Sequence, residues 1–235
     1  MNDKTDIFAY EALKAFALTH NYNKWIYEIF KPYMGKNILE VGCGIGNLTR
    51  YFLKSCDKLI GIDTSPFFIK HLEIDYPELE LYNFDIAEDK VLSLENKNID
   101  TIVSVNVLEH VENDGKALSN MFRLLQPGGH LLLFVPALSW LFGSLDENVK
   151  HYRRYDKDIL KSKIENSNFQ IDKIFYSNFL GIFGWYLNGK ILKRNRFPIV
   201  QPIVFDKFVP LLTKIERSIK PPIGMNLIVI AKKPK

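Results

Sequence analysis

An acid followed by three glycines at alternating positions is the part of this 235-residue chain best suited to bind a reactive ligand. Glu40 stands near the end of a short apolar run, and Gly42, Gly44 and Gly46 follow it. The run predicts a buried strand, and the glycines predict a turn into a helix. Unpaired N–H groups at the start of that helix, beside a backbone without side chains, suit a nucleotide-like ligand.

The glycine spacing distinguishes between classes of nucleotide-like ligand. A dinucleotide-binding turn has glycine at its first, third and sixth positions, which here are Gly42, Gly44 and Asn47. The third glycine is Gly46 instead, and an acid precedes the turn. The pattern therefore argues against NAD.

Polar side chains also follow the next predicted strands. Asp63, Asp85 and Asn106 each come directly after an apolar run. In an open parallel sheet, these positions share the edge where ligands bind. A carboxylate such as that of Asp63 has the paired acceptors that the two hydroxyls of a ribose require.

Residues 141–155 contain a second set of side chains that could do chemistry. The pKa range of histidine suits His151 to act as a general base on a hydroxyl. Arg153 or Arg154 could bind a carboxylate or phosphate, and Tyr152 stands beside them. His110, after the fourth predicted strand, is a rival base. The candidate catalytic residues are therefore His151, His110, Tyr152 and Arg154.

A structural interpretation of the same segment stays open. It is a surface loop in which the arginines pair with Asp146 and Glu147. We favour the catalytic interpretation, because a loop at this edge of a sheet usually covers the ligand site.

The acid and its Gly-x-Gly-x-Gly turn resemble motif I of the class I S-adenosylmethionine (SAM)-dependent methyltransferases. Residues 107–112, Val-Leu-Glu-His-Val-Glu, are similar to small-molecule methyltransferases of types 11 and 12. The resemblance covers residues 21–155 and the last strand. It implies SAM as the cofactor and S-adenosylhomocysteine as the product. It also implies that Asp63 binds the ribose, that Asp85 with Ile86 contacts the adenine, and that Asn106 and Val107 hold the methionine end. The complete predicted cofactor set is Tyr22, Glu40, Gly42, Gly44, Gly46, Asp63, Thr64, Asp85, Ile86, Asn106 and Val107.

Strands and helices alternate along the chain, which predicts an α/β fold with a doubly wound parallel sheet. The predicted strands are 37–41, 58–62, 80–84, 99–105, 130–135, 169–176 and 226–231. The predicted helices are 48–54, 66–75, 115–125 and 156–166, after a helical region at 6–33 that breaks at 21–23. The resemblance implies a Rossmann-like, seven-stranded sheet of order 3-2-1-4-5-7-6 with strand 7 antiparallel.

We expect one methyltransferase domain over residues 1–235. It comprises N-terminal cap helices (1–34), a core (35–176 and 225–235) and a helical insertion or lid (177–224). The insertion is expected because about 50 residues separate the last two strands, far more than a hairpin needs.

Charge is distributed unevenly along the chain. Residues 1–149 carry 13 Lys and Arg against 21 Asp and Glu, whereas residues 150–235 carry 18 against 6. The basic part favours an anionic or lipid-linked partner, or is only a solvated surface. Aromatic residues of the insertion beside Lys190, Lys193, Arg194 and Arg196 suit a peripheral membrane contact. Ordinary core helices or a homodimer interface explain the insertion equally well.

Other sequence features set limits on the site and its location. The two cysteines form no disulfide framework, and no metal-ligand spacing is present, so no metal is expected. No apolar run is long enough to span a bilayer, and no signal peptide is evident, so we expect a cytoplasmic protein.

The sequence therefore predicts methyl transfer from SAM to a small molecule, with a hydroxyl on a sugar, lipid-linked or secondary-metabolite substrate as the preferred acceptor. Residues 106–109 lack the prolines that mark methyltransferases acting on nucleic-acid amines, so nucleic acid is disfavoured. An RNA-directed methyltransferase using the basic C-terminal part, and a SAM-binding protein without catalysis, remain as alternatives.

Overall fold

Seven strands form one sheet at the centre of the fold. The computed structural model describes residues 4–194 and 200–235. The strand order is β3-β2-β1-β4-β5-β7-β6. Strand β7 is antiparallel to β5 and β6, and the other pairs are parallel. The strands are β1 (Asn37–Val41), β2 (Lys58–Asp63), β3 (Glu80–Asn83), β4 (Ile99–Val105), β5 (Leu125–Pro136), β6 (Gln170–Ser177) and β7 (Asn226–Lys232). The predicted order and orientation are confirmed.

Helices lie against the sheet and fill its connections. They are α1 (Lys4–Ala17), α2 (His20–Phe30), α3 (Thr49–Phe52), α4 (Pro66–Asp75), α5 (Asp114–Leu124), α6 (Ser144–Asn148), α7 (Lys157–Asn166), α8 (Gly181–Trp185), α9 (Val200–Asp206) and α10 (Val209–Ile219). A turn of π-helix at Tyr186–Ile191 follows α8. Among the helices described, none has both the length and the apolar character needed to cross a membrane.

The central strands are buried on both faces. In β5, Leu131 and Leu133 belong to the apolar layer on one side of the sheet, whereas Leu132 and Phe134 belong to the layer on the other side. Successive side chains of a strand point to opposite faces, so a strand covered on both sides reads as a continuous apolar run. This burial fixes the register of the strand ends, where the site lies.

Strand β5 begins five residues earlier than the sequence indicates. Its pairing with β4 runs from Ile99 opposite Leu125 to Thr101 opposite His130, so residues 126–129 bulge out of the ladder. Gly128 has φ +82°, a left-handed conformation that glycine adopts without strain. The Gln-Pro-Gly-Gly sequence therefore forms an interruption within β5 rather than a turn before it.

Helix α2 also begins earlier than predicted. We expected a break at residues 21–23, but the break lies before His20, and residues 21–23 form the first turn of α2. The Asp206 carboxylate explains the difference, because it accepts the backbone N–H groups of Asn21 (3.2 Å) and Tyr22 (2.8 Å). An acid from the distant helix α9 therefore caps α2, a role that local sequence cannot indicate.

Asp206→Ala is expected to lower the free energy of unfolding by about 1–2 kcal/mol, because it leaves helix N-terminal N–H groups without their charged acceptor. Urea unfolding followed by circular dichroism measures this loss. Glu73→Ala, which removes an exposed acid on α4, is the matched control and should change stability by less than about 0.5 kcal/mol. Equal losses in both variants would show that the cap is not stabilising.

Residues 178–225 connect β6 to β7 and contain α8, the π-helical turn, α9 and α10. Glu216 of α10 joins this insertion to the end of β6, since its carboxylate accepts the backbone N–H groups of Asn178 and Phe179 at 2.9 and 2.7 Å. Arg196 of the predicted basic cluster lies outside the described residues. The function of the insertion as a lid stays a prediction.

Candidate active site

A cavity of about 790 Å³ lies at the carboxyl edge of the sheet. Every residue of the predicted cofactor set lines it except Gly46, and so do all four candidate catalytic residues. Its volume is within the range of small-molecule pockets in proteins. Parallel strands end together at this edge, so residues far apart in sequence meet here.

The glycine turn requires glycine at the cavity wall. Gly42 has φ +72°, and a Cβ atom built there would lie 2.3 Å from Cγ2 of Val107. The backbone N–H of Gly44 donates to Oδ2 of Asp63 at 2.9 Å, which joins the turn to the end of β2. The turn therefore leaves bare backbone beside a carboxylate, an arrangement that suits a ribose and its attached groups.

Gly46 serves packing rather than the cavity. It has φ +83°, and a Cβ atom there would lie 2.7 Å from Cδ2 of Leu72 and 3.3 Å from the ring of Tyr76. Sequence spacing alone could not separate its role from those of Gly42 and Gly44. Gly46 does not line the cavity, and its binding of the cofactor stays a prediction.

Glu40 is buried beneath the turn, and its carboxylate accepts a 2.6 Å hydrogen bond from the hydroxyl of Thr49 in α3. Burial raises the pKa of Glu40 to about 8, and the nearby Asp63 acts in the same direction against the Thr49 bond. The carboxyl group thus ties β1 to the first residue of α3. Its protonation is coupled to folding.

Glu40→Gln is expected to be more stable than the wild type by at least about 1 kcal/mol near pH 8.5, with a smaller difference near pH 5. The folded chain holds the Glu40 proton to about pH 8, whereas the usual pKa of the group is 4.5. The wild type therefore loses stability as pH rises through this window, and glutamine cannot ionise. Urea unfolding at both pH values tests this, with the exposed Glu78→Gln as control. A difference independent of pH would contradict it.

The strand ends hold the remaining predicted cofactor residues. Asp63 accepts the backbone N–H of Ser65 at 2.9 Å through Oδ1, and Asp85 accepts that of Ala87 at 2.8 Å. Both carboxylates are held by their own turns and line the cavity. Asn106 takes a left-handed conformation with φ 52°, which turns the chain at the end of β4.

Tyr22 lies at the roof of the cavity, in the first turn of α2. Its ring packs at 5.5 Å from Trp25 and 6.2 Å from Phe134. Burial raises the pKa of its hydroxyl, despite a hydrogen bond with the Asn178 side chain. Both interpretations of Tyr22, as a core aromatic and as a contact to the cofactor, are compatible with this position.

His151 is held by a buried carboxylate. Nδ1 of His151 lies 2.8 Å from Oδ1 of Asp146, which also accepts Nε of Arg154 at 2.8 Å. Oδ2 of Asp146 accepts the indole N–H of Trp185 at 3.0 Å. Burial alone would raise the pKa of Asp146, but the His151 bond and the Arg154 charge hold it below its usual value. An Nδ1–H bonded to Asp146 leaves Nε2 of His151 as a proton acceptor.

Glu109 stands beside His151 and has no exposed surface. Its Oε1 lies 3.8 Å from Nε2 of His151, and neither carboxylate oxygen has a hydrogen-bond partner within the described part of the chain. Burial raises the pKa of Glu109 to about 7, against the charge of His151. A buried carboxylate without hydrogen bonds is costly, so its place at a cavity wall indicates a function.

His110 completes this cluster. Its ring meets that of His151 at 4.6 Å in an edge-on arrangement. The residue is exposed to the cavity, but the protein atoms around it remove part of its hydration, and this desolvation together with the charge of His151 lowers the pKa of His110. Glu109, His110 and His151 each offer one ligand atom, and these atoms lie within 4.8 Å of one another. One carboxylate and two imidazoles could hold a divalent cation. The absence of a bound metal therefore stays a prediction.

The other predicted catalytic residues have different surroundings. Tyr152 is exposed, although it lines the mouth of the cavity. Arg154 is buried and paired with Asp146, and its guanidinium lies 4.5 Å from the Trp185 ring centroid. Arg153 pairs with Asp114 at 2.8 Å. The pairing that the structural interpretation expects is present for Arg154 with Asp146, whereas Arg153 pairs with Asp114 and not with Glu147.

A hydrogen bond from the Tyr152 backbone N–H to the Glu109 carbonyl, at 2.8 Å, closes the loop over the cluster. It brings residues 146–154 against the end of β4, although the two segments are far apart in the chain. Sequence reasoning missed Glu109 and Trp185, and it considered Asp146 only as a partner for the arginines. The acid beside His110 in residues 107–112 was the one available signal for Glu109, because nothing local indicates that it is buried without hydrogen bonds.

Comparisons with known proteins agree with this geometry. The model of a methyltransferase domain family matches residues 39–131, which include the glycine turn, Asp63, Asp85 and the Glu109–His110 pair. A probable S-adenosylmethionine-dependent methyltransferase of Mycolicibacterium smegmatis is 27% identical over 151 residues, covering 63% of this chain and 56% of the relative. The domain match over residues 39–131 and this relative support a class I S-adenosylmethionine-dependent methyltransferase, as the sequence predicts.

Two further comparisons show similarity to methyltransferases. A ubiquinone biosynthesis O-methyltransferase of Coxiella burnetii is 28% identical over 119 residues, covering 50% of this chain and 47% of the relative. The solved structure of a putative methyltransferase from Bacillus halodurans has a TM-score of 0.63 at 17% identity, covering 91% of this chain and 99% of that one, and it shows the shared fold. The chain spans about half the length of the curated relatives it matches.

The family implies SAM as cofactor, and the residues of the cavity fit it. The backbone of Gly42 and Gly44 and the Asp63 carboxylate line the same cavity. Each oxygen of Asp63 accepts one backbone N–H, and a carboxylate oxygen can accept a second hydrogen bond, as from a ribose hydroxyl. Asp85 and Ile86 would lie at the adenine, and Asn106 and Val107 at the methionine end.

Proposed function

We propose that this domain transfers the methyl group of SAM to a hydroxyl oxygen of a small-molecule acceptor. The observation that carries this proposal is the position of His151 and Glu109. They line the same cavity as the cofactor residues, and a buried Asp146 holds the imidazole by its Nδ1 atom. A sugar, a lipid-linked molecule and a secondary metabolite all carry suitable hydroxyl groups.

The side chains of the cluster would remove the acceptor proton. When bound, SAM supplies an electrophilic methyl carbon, and a hydroxyl becomes a better nucleophile as it loses its proton. Asp146 keeps the His151 proton on Nδ1, so Nε2 can accept the proton of the hydroxyl. Glu109, 3.8 Å from Nε2, would stabilise the positive charge that then forms on the ring.

The relatives support oxygen as the atom that receives the methyl group. Ubiquinone biosynthesis O-methyltransferases match half of this chain at 28% identity. The methyltransferase domain match ends at residue 131, whereas His151 and residues of the insertion such as Gln201 and Phe205 also line the cavity. The class of acceptor is therefore argued from the cavity of this chain.

An RNA-directed methyltransferase is the second candidate, and it depends on the basic C-terminal part. Several of these cations are engaged within the protein. Arg153 and Lys163 pair with Asp114, Lys232 pairs with Asp172, and Lys233 donates to two backbone carbonyls. The charge excess is thus smaller at the surface than in the sequence, which favours a small-molecule acceptor. RNA binding that weakens steeply with salt would support this second candidate.

A panel of matched acceptors tests the proposal. Purified protein and SAM are incubated with hydroxylated sugars, quinols and polyprenyl-linked sugars, with the corresponding amines, and with tRNA, and release of S-adenosylhomocysteine is measured. Turnover with a hydroxyl compound and none with its amine analogue is expected. Turnover with tRNA alone would favour the second candidate, and saturable SAM binding without any turnover would favour a SAM-binding protein without catalysis.

A further inference from the structure

The outer faces of α9 and α10 carry an apolar stripe. Its members, 44% to 69% exposed, are Val200, Val204, Phe208, Leu211, Ile215 and Ile219. They recur at intervals of three or four residues, which places them on one side of a helix. Helical turns continue through the short junction, where the backbone N–H of Phe208 donates to Phe205 and that of Leu211 donates to Phe208. We call these six residues the outer stripe.

The inner faces of the same helices are already occupied. Gln201, Pro202 and Phe205 line the cavity, and Val209 is buried. The carboxylates of Asp206 and Glu216, the two acids in residues 200–235, accept backbone N–H groups of α2 and of the segment after β6. Both acids therefore face the protein, and neither lies on the side of the outer stripe.

Lysines flank the outer stripe. Lys207, Lys214 and Lys220 are exposed, and none of them forms an ion pair with the side chains that the structure describes. A neighbouring segment extends this character. Exposed Leu187, Ile191 and Leu192 alternate with exposed Lys190, Lys193 and Arg194, and the Asn188 side chain joins that segment to Gln201 of α9 at 2.9 Å.

We propose that the outer stripe and its lysines dock onto an anionic membrane surface. Amphipathic helices with apolar residues on one face and lysines beside them lie in the plane of a bilayer interface, and contiguous exposed apolar residues mark such contacts. A second copy of the chain is a poorer partner, because pairing two outer stripes would bring the lysines of both copies together. Lipid phosphates instead complement them. This docking does not depend on methyl transfer.

Docking would also explain why the stripe lies where it does. Helix α9 carries Val200 and Val204 of the outer stripe on its outer face and lines the cavity with its inner face. A protein seated by this face would hold its acceptor cavity one helix away from the bilayer. Lipid-linked acceptors would then reach the cavity without leaving the membrane.

Vesicle flotation tests the docking. The probes are vesicles of equal parts phosphatidylglycerol and phosphatidylcholine, and vesicles of phosphatidylcholine alone. The wild type is expected to float with the anionic vesicles and to be released by high salt. Leu211→Ser/Ile215→Ser/Ile219→Ser should bind at least about tenfold more weakly. The control Ile74→Ser/Ile159→Ser, which removes exposed apolar residues on α4 and α7, should bind as the wild type does.

A charge variant gives a second, independent measurement that does not alter the stripe. Lys207→Gln/Lys214→Gln should weaken binding to anionic vesicles about fivefold for each lysine, whereas the control Lys54→Gln/Lys70→Gln should not. SAM binding by each variant shows that it is folded. Failure of the wild type to float, or equal flotation of the triple variant and the wild type, would overturn the proposal. A dimer that the stripe substitutions dissociate, with no vesicle binding, would also overturn it and identify the face as an interface between copies.

Discussion

Asp63→Asn is expected to weaken SAM binding by about 10- to 100-fold. Hydrogen bonds to a charged acceptor contribute about 1.5–3 kcal/mol, which corresponds to this range. Both oxygens of Asp63 already accept a backbone N–H, from Gly44 and from Ser65 at 2.9 Å each. Asparagine has one acceptor oxygen, so its amide group would face one of these N–H groups and offer a ribose fewer acceptors.

Isothermal titration calorimetry with SAM measures this effect. The control is Asp75→Asn, which makes the same change on an exposed position of α4 and should leave the dissociation constant unchanged. A second control is the unfolding free energy of Asp63→Asn, because the turn could also loosen. Equal affinities for wild type and Asp63→Asn would contradict the assignment of this strand end to the cofactor.

His151→Ala should lower kcat by about 10²- to 10⁴-fold with little change in SAM affinity, because it removes the proposed general base and leaves the cofactor residues intact. His110→Ala separates the rival base. Its lowered pKa and its edge-on contact with His151 suit a neutral packing partner, so a smaller loss is expected. Rates are measured with the best acceptor of the panel, and His71→Ala, a half-exposed position of α4, is the control.

The opposite ranking of the two histidines would identify His110 as the base. Full turnover in both variants would contradict a catalytic function for the cluster and leave alignment of the reactants as the source of the rate. Glu109→Gln adds a further distinction. It keeps the shape of the side chain but removes its charge, so a fall in kcat without loss of stability would show that the carboxylate acts on His151.

Much of the sheet could be predicted from the sequence. Strands β1 and β4 have the predicted bounds. Both strands are buried on both faces, so each one is a nearly continuous apolar run whose ends can be recognised in the sequence. The strand order came from the family resemblance rather than from the runs themselves. Strand β5 differs at its start, since the bulge at residues 126–129 depends on pairing with β4 that local sequence does not encode.

The site was predictable only where it follows the strand ends. Asp63, Asp85 and Asn106 line the cavity because parallel strands end at one edge, a rule that needs no tertiary detail. The Glu109–His151 contact joins segments far apart in the chain, and its importance comes from burial. Asp206 is also a partner from a distant part of the chain, since its carboxylate on α9 caps α2. Long-range partners of this kind are fixed by packing, not by local pattern.

The chemical position of the transferred methyl group is the measurement that tests the proposed reaction most directly. Protein, SAM labelled with ¹³C in its methyl group and the best acceptor are incubated together, and the product is characterised by carbon–proton correlation NMR. A new methyl signal with the shift of an ether, strongly reduced over the same reaction time with His151→Ala, is the predicted result. Label on nitrogen or carbon, or in RNA alone, would contradict transfer to a small-molecule hydroxyl.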